Sequence, residues 1–212
     1  MISLWDYHTH CGLNHHAVGT SEDYIQSAIK KGLCEIGLAD HFPMHLLPES
    51  ADVWKYAMTM EEFTRYIKDN KALKQKYRGQ IAIKIASEVD YYEGSFSSYQ
   101  KALTPYYDDL DYIIGSIHVI EWPGVAAWGV DDINFINKFE EFGTDKVYIE
   151  YYNLIQKMAK TGYYQIVGHF DLPKKHAKYP KYPDNVREVV LKTLDIIAAK
   201  DMAMEINTSG FL

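Results

Sequence analysis

Short apolar runs alternate with amphipathic stretches along the 212-residue chain. Ser3 to His8 predicts a first strand. Thr20 or Ser21 then offers an N-cap, and Glu22 and Asp23 put negative charge in the first turn, where the helix dipole favours it. Tyr24, Ile25, Ala28 and Ile29 recur at helical spacing, and Lys30-Lys31-Gly32 is a helix stop signal. Glu35 to Ala39 predicts a buried strand ending at Asp40-His41. A loop with Pro43, Pro48 and Trp54 follows, and Thr59 with Glu62 forms a capping box that opens a helix to about Lys76. Further strands are expected at Gln80–Ala86, ending at Glu88, at Leu110–Gly115, ending at His118, at Tyr164–Gly168, ending at His169, and at Met202–Ile206. Helices are expected at Asp132–Phe142, Asp145–Lys160 and Asp184–Lys200.

These strands are apolar runs rather than alternating ones, as expected when both faces of a sheet are covered. Strands alternating with helices imply parallel βαβ units, so the expected fold class is α/β. No repeat, low-complexity tract or linker interrupts the pattern, and one domain over residues 1–212 is the economical reading. Six strands are countable, fewer than a closed eight-stranded barrel needs.

Composition adds limits. The formal charge of −7 disfavours a nucleic-acid partner, which would call for clustered Lys and Arg. It is compatible with a small phosphorylated substrate, because bound divalent cations invert the local potential. Two cysteines, Cys11 and Cys34, do not make a disulfide scaffold. No signal peptide and no apolar run long enough to span a membrane is visible, so the cytoplasm is the expected location. The 18 tyrosines are expected to pack with their hydroxyls wet. Oligomeric state is not readable.

The candidate chemistry lies where strands end. His8 and His10 are spaced i, i+2 in an extended segment and so point the same way. His41, Glu88, His118 and His169 each follow a predicted strand, and His16 lies in the first loop. The C-terminal ends of parallel strands share one mouth, where dispersed side chains converge. Imidazole with carboxylate suits Zn, Fe or Mn, and a set poor in thiolate argues against a structural zinc site. Two or three divalent ions are the expected cofactor, with Glu88 as a bridging carboxylate, and such clusters serve phosphate-ester hydrolysis. Asp40 and Asp171 lie beside or two after a ligand candidate and are candidates either to orient an imidazole or to cap a helix or turn. Glu88, His118 and Asp171 are the catalytic candidates. His15, His45 and His176 are expected to be ordinary packing or surface histidines, and Lys174, Lys175 and Arg187 are candidate phosphate contacts for which surface solvation is the favoured role.

His8-Thr-His10, Ala39-Asp40-His41-Phe-Pro43, Glu88-Val-Asp-Tyr91, Ile114-Gly-Ser-Ile-His118, Val167-Gly-His169-Phe-Asp171-Leu-Pro-Lys-Lys175 and Glu205-Ile-Asn-Thr-Ser-Gly210 occur in that order. This series resembles the polymerase-and-histidinol-phosphatase (PHP) superfamily, and within it the histidinol-phosphatase branch. The resemblance implies a distorted (β/α)7 TIM-like barrel with a trinuclear metal site and hydrolysis of L-histidinol phosphate. It assigns His8, His10 and Glu88 to one ion, Glu88, His118 and His169 to a second, and His16 and His41 to a third. It also implies a further βα segment or two after Gly210, closing on a Ser-Asp-Ala-His-like motif, so the chain is expected to lack the last strands of the barrel. Competing readings are another phosphomonoesterase of the superfamily, a metal-binding module without turnover, and an amidohydrolase-like enzyme.

Overall fold

A computed structural model describes residues 4–208. The predicted strand start at Ser3 and the Ser209-Gly210 end of the last motif lie outside the described residues. The chain divides into two compact units, one formed by Met1–Leu47, Val53–Val89 and Gly94–Ile114, the other by Pro48–Asp52, Asp90–Glu93 and Gly115–Leu212.

The first unit carries strands β1 (Trp5–Asp6), β2 (Glu35–Leu38), β3 (Ala82–Asp90, to Val89 in this unit) and the start of β4 (Tyr112–Ser116), in that order across the sheet. Helices α1 (Ser21–Lys30), α2 (Met60–Lys76) and α3 (Phe96–Leu103) connect them. The pairing is parallel, with Trp5 opposite Glu35 and Leu38 opposite Ile85. Both predicted N-caps form as full capping boxes, Thr20 with Asp23 and Thr59 with Glu62, each worth about 1 kcal/mol over an uncapped start. Ile36, Ile83 and Ile85 are buried, and Phe42 packs edge-on against Phe63 and Tyr99 at 4.9 and 5.9 Å. Gly37 has no substitute here. A Cβ at that position would lie 1.8 Å from the Tyr112 hydroxyl and 2.9 Å from the Tyr7 backbone.

The second unit contains the end of β4, β7 (Ile166–Val167) and β8 (Ala203–Met204), with β7 and β8 parallel. It also contains an antiparallel hairpin, β5 (Val119–Trp122) and β6 (Val125–Gly129), turned at Pro123-Gly124 with Gly124 at φ 78°. Helices α4 (Lys138–Phe142), α5 (Thr144–Lys160) and α6 (Pro183–Ala199) complete it. Trp128, Phe139, Tyr151, Ile155 and Met158 are buried, and the Gln156 amide donates to Thr193 Oγ1 at 3.0 Å where α5 meets α6. Burying each such large apolar side chain stabilises by about 1.5–3 kcal/mol.

Two expectations are corrected. The helix expected over Asp132–Phe142 is α-helical only from Lys138, because Asp132 caps a short 3-10 turn, Ile133–Phe135, first. The strand expected to stop at Ala86 runs on to Asp90, so Glu88 sits within β3. Among the described residues no helix is long and apolar enough to cross a membrane.

Candidate metal centre

In the first unit the backbone aims the side chains. β1 ends at Asp6 and the chain stays extended, with Thr9 Oγ1 donating to Gly37 O at 2.8 Å and Ala39 N to Thr9 O at 3.2 Å. His8 and His10 therefore share a face, as their spacing predicts. Beyond β2 the chain re-pairs with β3: Glu88 N donates to Asp40 O at 3.0 Å and Phe42 N to Glu88 O at 2.7 Å. His41 and Glu88 are thus partners in a parallel bridge and project together.

The convergence is tight. His8 Nε2, His10 Nε2 and His41 Nδ1 lie 3.1, 3.3 and 3.0 Å from Glu88 Oε2. The two Nε2 atoms of His8 and His10 are 3.1 Å apart. The His16 ring, exposed, stands 5.3 Å from the rings of both His10 and His41. His8, His10 and Glu88, and likewise His10, His16 and His41, each present ligand atoms within 4.8 Å of one another. Four-coordinate zinc with bonds of 2.0–2.1 Å spaces its ligand atoms about 3.3 Å apart. The His8–His10–Glu88 triangle, with edges of 3.1, 3.1 and 3.3 Å, has that size. The residues present fit a divalent ion.

Electrostatics agree. Burial alone would lower the His10 pKa, yet Asp40 and Glu88 outweigh it and raise the value. The pocket therefore favours positive charge despite its enclosure. Asp40, buried, accepts from Cys11 N at 2.8 Å and from Cys11 Sγ at 3.0 Å, and its Oδ1 lies 3.7 Å from His10 Nδ1. Burial and then Asp40 push the Cys11 thiol up to about 11, and its Sγ donates to Asp40 Oδ2.

In the second unit His118 follows β4 and His169 follows β7, both buried, with ring centroids 4.7 Å apart. His118 Nδ1 bonds Asp90 Oδ1 at 2.8 Å. The other oxygen of Asp90, buried, has no hydrogen-bond partner among the described residues. His169 N donates to Glu205, and the Tyr151 hydroxyl donates to His169 O at 2.8 Å. Partial burial opposes ionisation of Asp131, but His118, Lys175 and His169 outweigh it and lower its pKa; Lys175 Nζ lies 2.8 Å from its carboxylate.

Of the residues expected from sequence, the first unit gathers His8, His10, His16, His41 and Glu88, and the second gathers His118 and His169. Asp171 joins neither group. It stands half exposed and takes Lys174 Nζ at 3.0 Å, while Asp90 is the carboxylate bonded to the ring of His118. Asp90 was readable, since it lies i+2 from Glu88 on one strand and shares its face. Glu205 was visible only as part of a motif. The tyrosines also depart from expectation. Tyr66 OH donates to Leu38 O at 2.6 Å and accepts from Asp40 N at 3.3 Å, and Tyr112 OH donates to Tyr7 O at 2.5 Å. Burial pushes the Tyr66 and Tyr151 hydroxyls well above their usual range, so both remain donors. They tie down the strand ends that carry the histidines. His45 is exposed as expected, while His176 Nε2 bonds Asp131 O at 2.8 Å.

Comparison with known proteins agrees with this arrangement. The chain is 34% identical over 212 residues to a "Probable histidinol-phosphatase" of Deinococcus radiodurans, covering all of this chain and 75% of that protein. It is 30% identical to the histidinol-phosphatase of Bacillus subtilis, covering 92% of this chain and 76% of that one. A solved structure from Listeria monocytogenes, assigned as a histidinol phosphatase, superposes with a TM-score of 0.87 at 22% identity, covering 99% of this chain and 84% of that one. The Lactococcus lactis histidinol phosphate phosphatase, solved with Zn, L-histidinol and phosphate, gives 0.71 at 22% identity, covering 96% and 73%. Residues 6–209 match the PHP domain family, a span that takes in every histidine and carboxylate of both groups: the chain belongs to the PHP family.

Proposed function

We propose that this protein is a phosphoric monoester hydrolase that converts L-histidinol phosphate to L-histidinol and phosphate. The observation that carries this reading is the convergence of three imidazole nitrogens on one oxygen of Glu88, at 3.0–3.3 Å, in a PHP-family chain. The substrate is supported by the histidinol-phosphatase relatives and by the neighbour solved with L-histidinol and phosphate.

The ions, two or three of Zn, Fe or Mn, would be held by His8, His10, His16, His41, Glu88, His118 and His169. Such ions bring the pKa of water towards neutrality and offset charge on phosphoryl oxygens. The side chains prepare the site. Glu88 supplies negative charge where the nitrogens meet, and Asp90 accepts a hydrogen bond from His118 Nδ1–H, the arrangement that leaves Nε2 with its lone pair for a cation. Asp40 steadies His10 from behind, itself held by Cys11 and Tyr66. Small phosphorylated molecules, rather than nucleic acid, suit an acidic chain of this kind.

The test is metal analysis of the purified protein together with phosphate release from a panel of L-histidinol phosphate, nucleoside monophosphates and sugar phosphates. Metal with preferential release from L-histidinol phosphate is expected. Preference for another phosphomonoester, or metal without any turnover, overturns the reading.

A further inference from the structure

Phe63, Tyr66, Ile67 and Asn70 recur at helical spacing and form the buried stripe of α2 in the first unit. The buried Tyr66 ring stacks on Phe63 at 5.8 Å, and its hydroxyl reaches the ends of β2 and β3. The register of those strands is fixed. Leu38 pairs with Ile85, and His41 with Glu88 in the same register, yet β2 stops at Leu38 and the pairing returns only as the bridge at His41. Bonds of a parallel ladder are evenly spaced. Glu88 N donates to Asp40 O and Phe42 N to Glu88 O, so the rung before them would run from Asp40 N to Ala86 O. The Tyr66 hydroxyl stands in its place. Asp40 N donates to that hydroxyl at 3.3 Å, and the hydroxyl donates to Leu38 O at 2.6 Å and reaches Ala86 O at 3.1 Å. A side chain of α2 thus substitutes for one rung of the sheet.

The substituted rung is the last one before the ligand pair. His41 and Glu88 follow it, with His41 Nδ1 3.0 Å from Glu88 Oε2. Asp40, whose amide the hydroxyl holds, carries the carboxylate that lies 3.7 Å from His10 Nδ1. Asp40 O is held as well, by Glu88 N and by Ser87 Oγ at 3.0 Å each. An oxygen set into the ladder keeps the strands from closing to the direct contact of about 2.9 Å that an ordinary rung makes. The placing of the next pair follows from that opening. We propose that Tyr66 is a positioning residue for the metal centre: its hydroxyl, inserted between β2 and β3, sets the spacing of His41 and Glu88 and the aim of Asp40 at His10. The inserted rung stands without the metal reading; the positioning role rests on it.

The experiment compares Tyr66→Phe, which removes the hydroxyl and keeps the ring, with Thr59→Ala, which weakens the same helix at its cap. In the metal-free chain, amide NMR reads the insertion: the Asp40 amide should change its chemical shift and exchange rate in Tyr66→Phe and keep both in Thr59→Ala. An Asp40 amide with wild-type shift and rate in Tyr66→Phe overturns the inserted rung. Competition with a chromophoric chelator then reads zinc affinity. It should fall about tenfold in Tyr66→Phe, as for an outer partner of a ligand, and stay within about twofold of wild type in Thr59→Ala. The visible absorption of the cobalt-loaded chain follows ligand geometry rather than stability, and should shift in Tyr66→Phe alone. Wild-type zinc affinity with an unshifted cobalt spectrum in Tyr66→Phe, or equal losses in both variants, overturns the positioning role and leaves the rung standing. Failure of Tyr66→Phe to fold, read by circular dichroism, makes the hydroxyl a requirement of the fold rather than of the centre and also overturns that role. A wild-type chain that binds no zinc faults the metal reading instead, and the positioning role falls with it.

Discussion

The two units hold their histidines in different ways. In the first, His8, His10 and His41 all lean on one oxygen of Glu88, so their positions depend on one another. In the second, each histidine has its own brace: Asp90 at the ring of His118, and Glu205 and Tyr151 at the backbone of His169. A shared acceptor packs several donors densely but loses all of them when it is removed. Separate braces fail one at a time.

That contrast can be broken by experiment. The largest effect is expected from Glu88→Gln, which should strip bound metal and cut turnover by more than about 100-fold, above the usual range for an outer partner of a ligand; metal analysis and phosphate release measure it, and wild-type stoichiometry with wild-type rate would refute the shared role. Asp90→Asn should be milder, lowering metal affinity or activity about 10–100-fold. If it matches Glu88→Gln instead, the second unit is not braced residue by residue. Gly37→Ala should destabilise by about 1–3 kcal/mol through overpacking against Tyr112 and Tyr7, seen as a lower urea midpoint, and should loosen the His8–His10 segment before anything near His169. The smallest change is expected from Thr59→Ala, about 1 kcal/mol from the lost cap of α2. Metal content per folded molecule should then stay at the wild-type level, which separates general destabilisation from damage to the site.

The legible part of the molecule was its strand ends. His8, His10, His41, His118 and His169 could be placed because short apolar runs mark buried parallel strands and each run stops at a titratable residue. The caps at Thr20 and Thr59 were equally clear, since they depend on residues three positions apart. What escaped depends on distant partners. The β5–β6 hairpin follows β4 after only two residues, so its apolar residues blurred into one region, although Pro123-Gly124 marks the turn. The helix expected from Asp132 was shortened because the Asp132 side chain bonds Asn134 N and favours a turn. The braces at Glu205 and Tyr151 were hidden for a simpler reason: nothing local states which carbonyl or backbone amide a carboxylate or phenol will reach. Asp171 is a candidate on sequence because it lies two residues after His169, and only the fold pairs it with Lys174 and gives His118 its partner in Asp90.

The parallel bridge between His41 and Glu88 bears on how such chains can change length. Because neighbouring residues of an extended segment face opposite ways, adding or deleting one residue between Leu38 and His41 would turn the imidazole to the wrong side of the sheet. The connection from His41 to the start of α2, at Met60, has no such parity to keep. The three-residue step from Leu38 to His41 is therefore fixed in number.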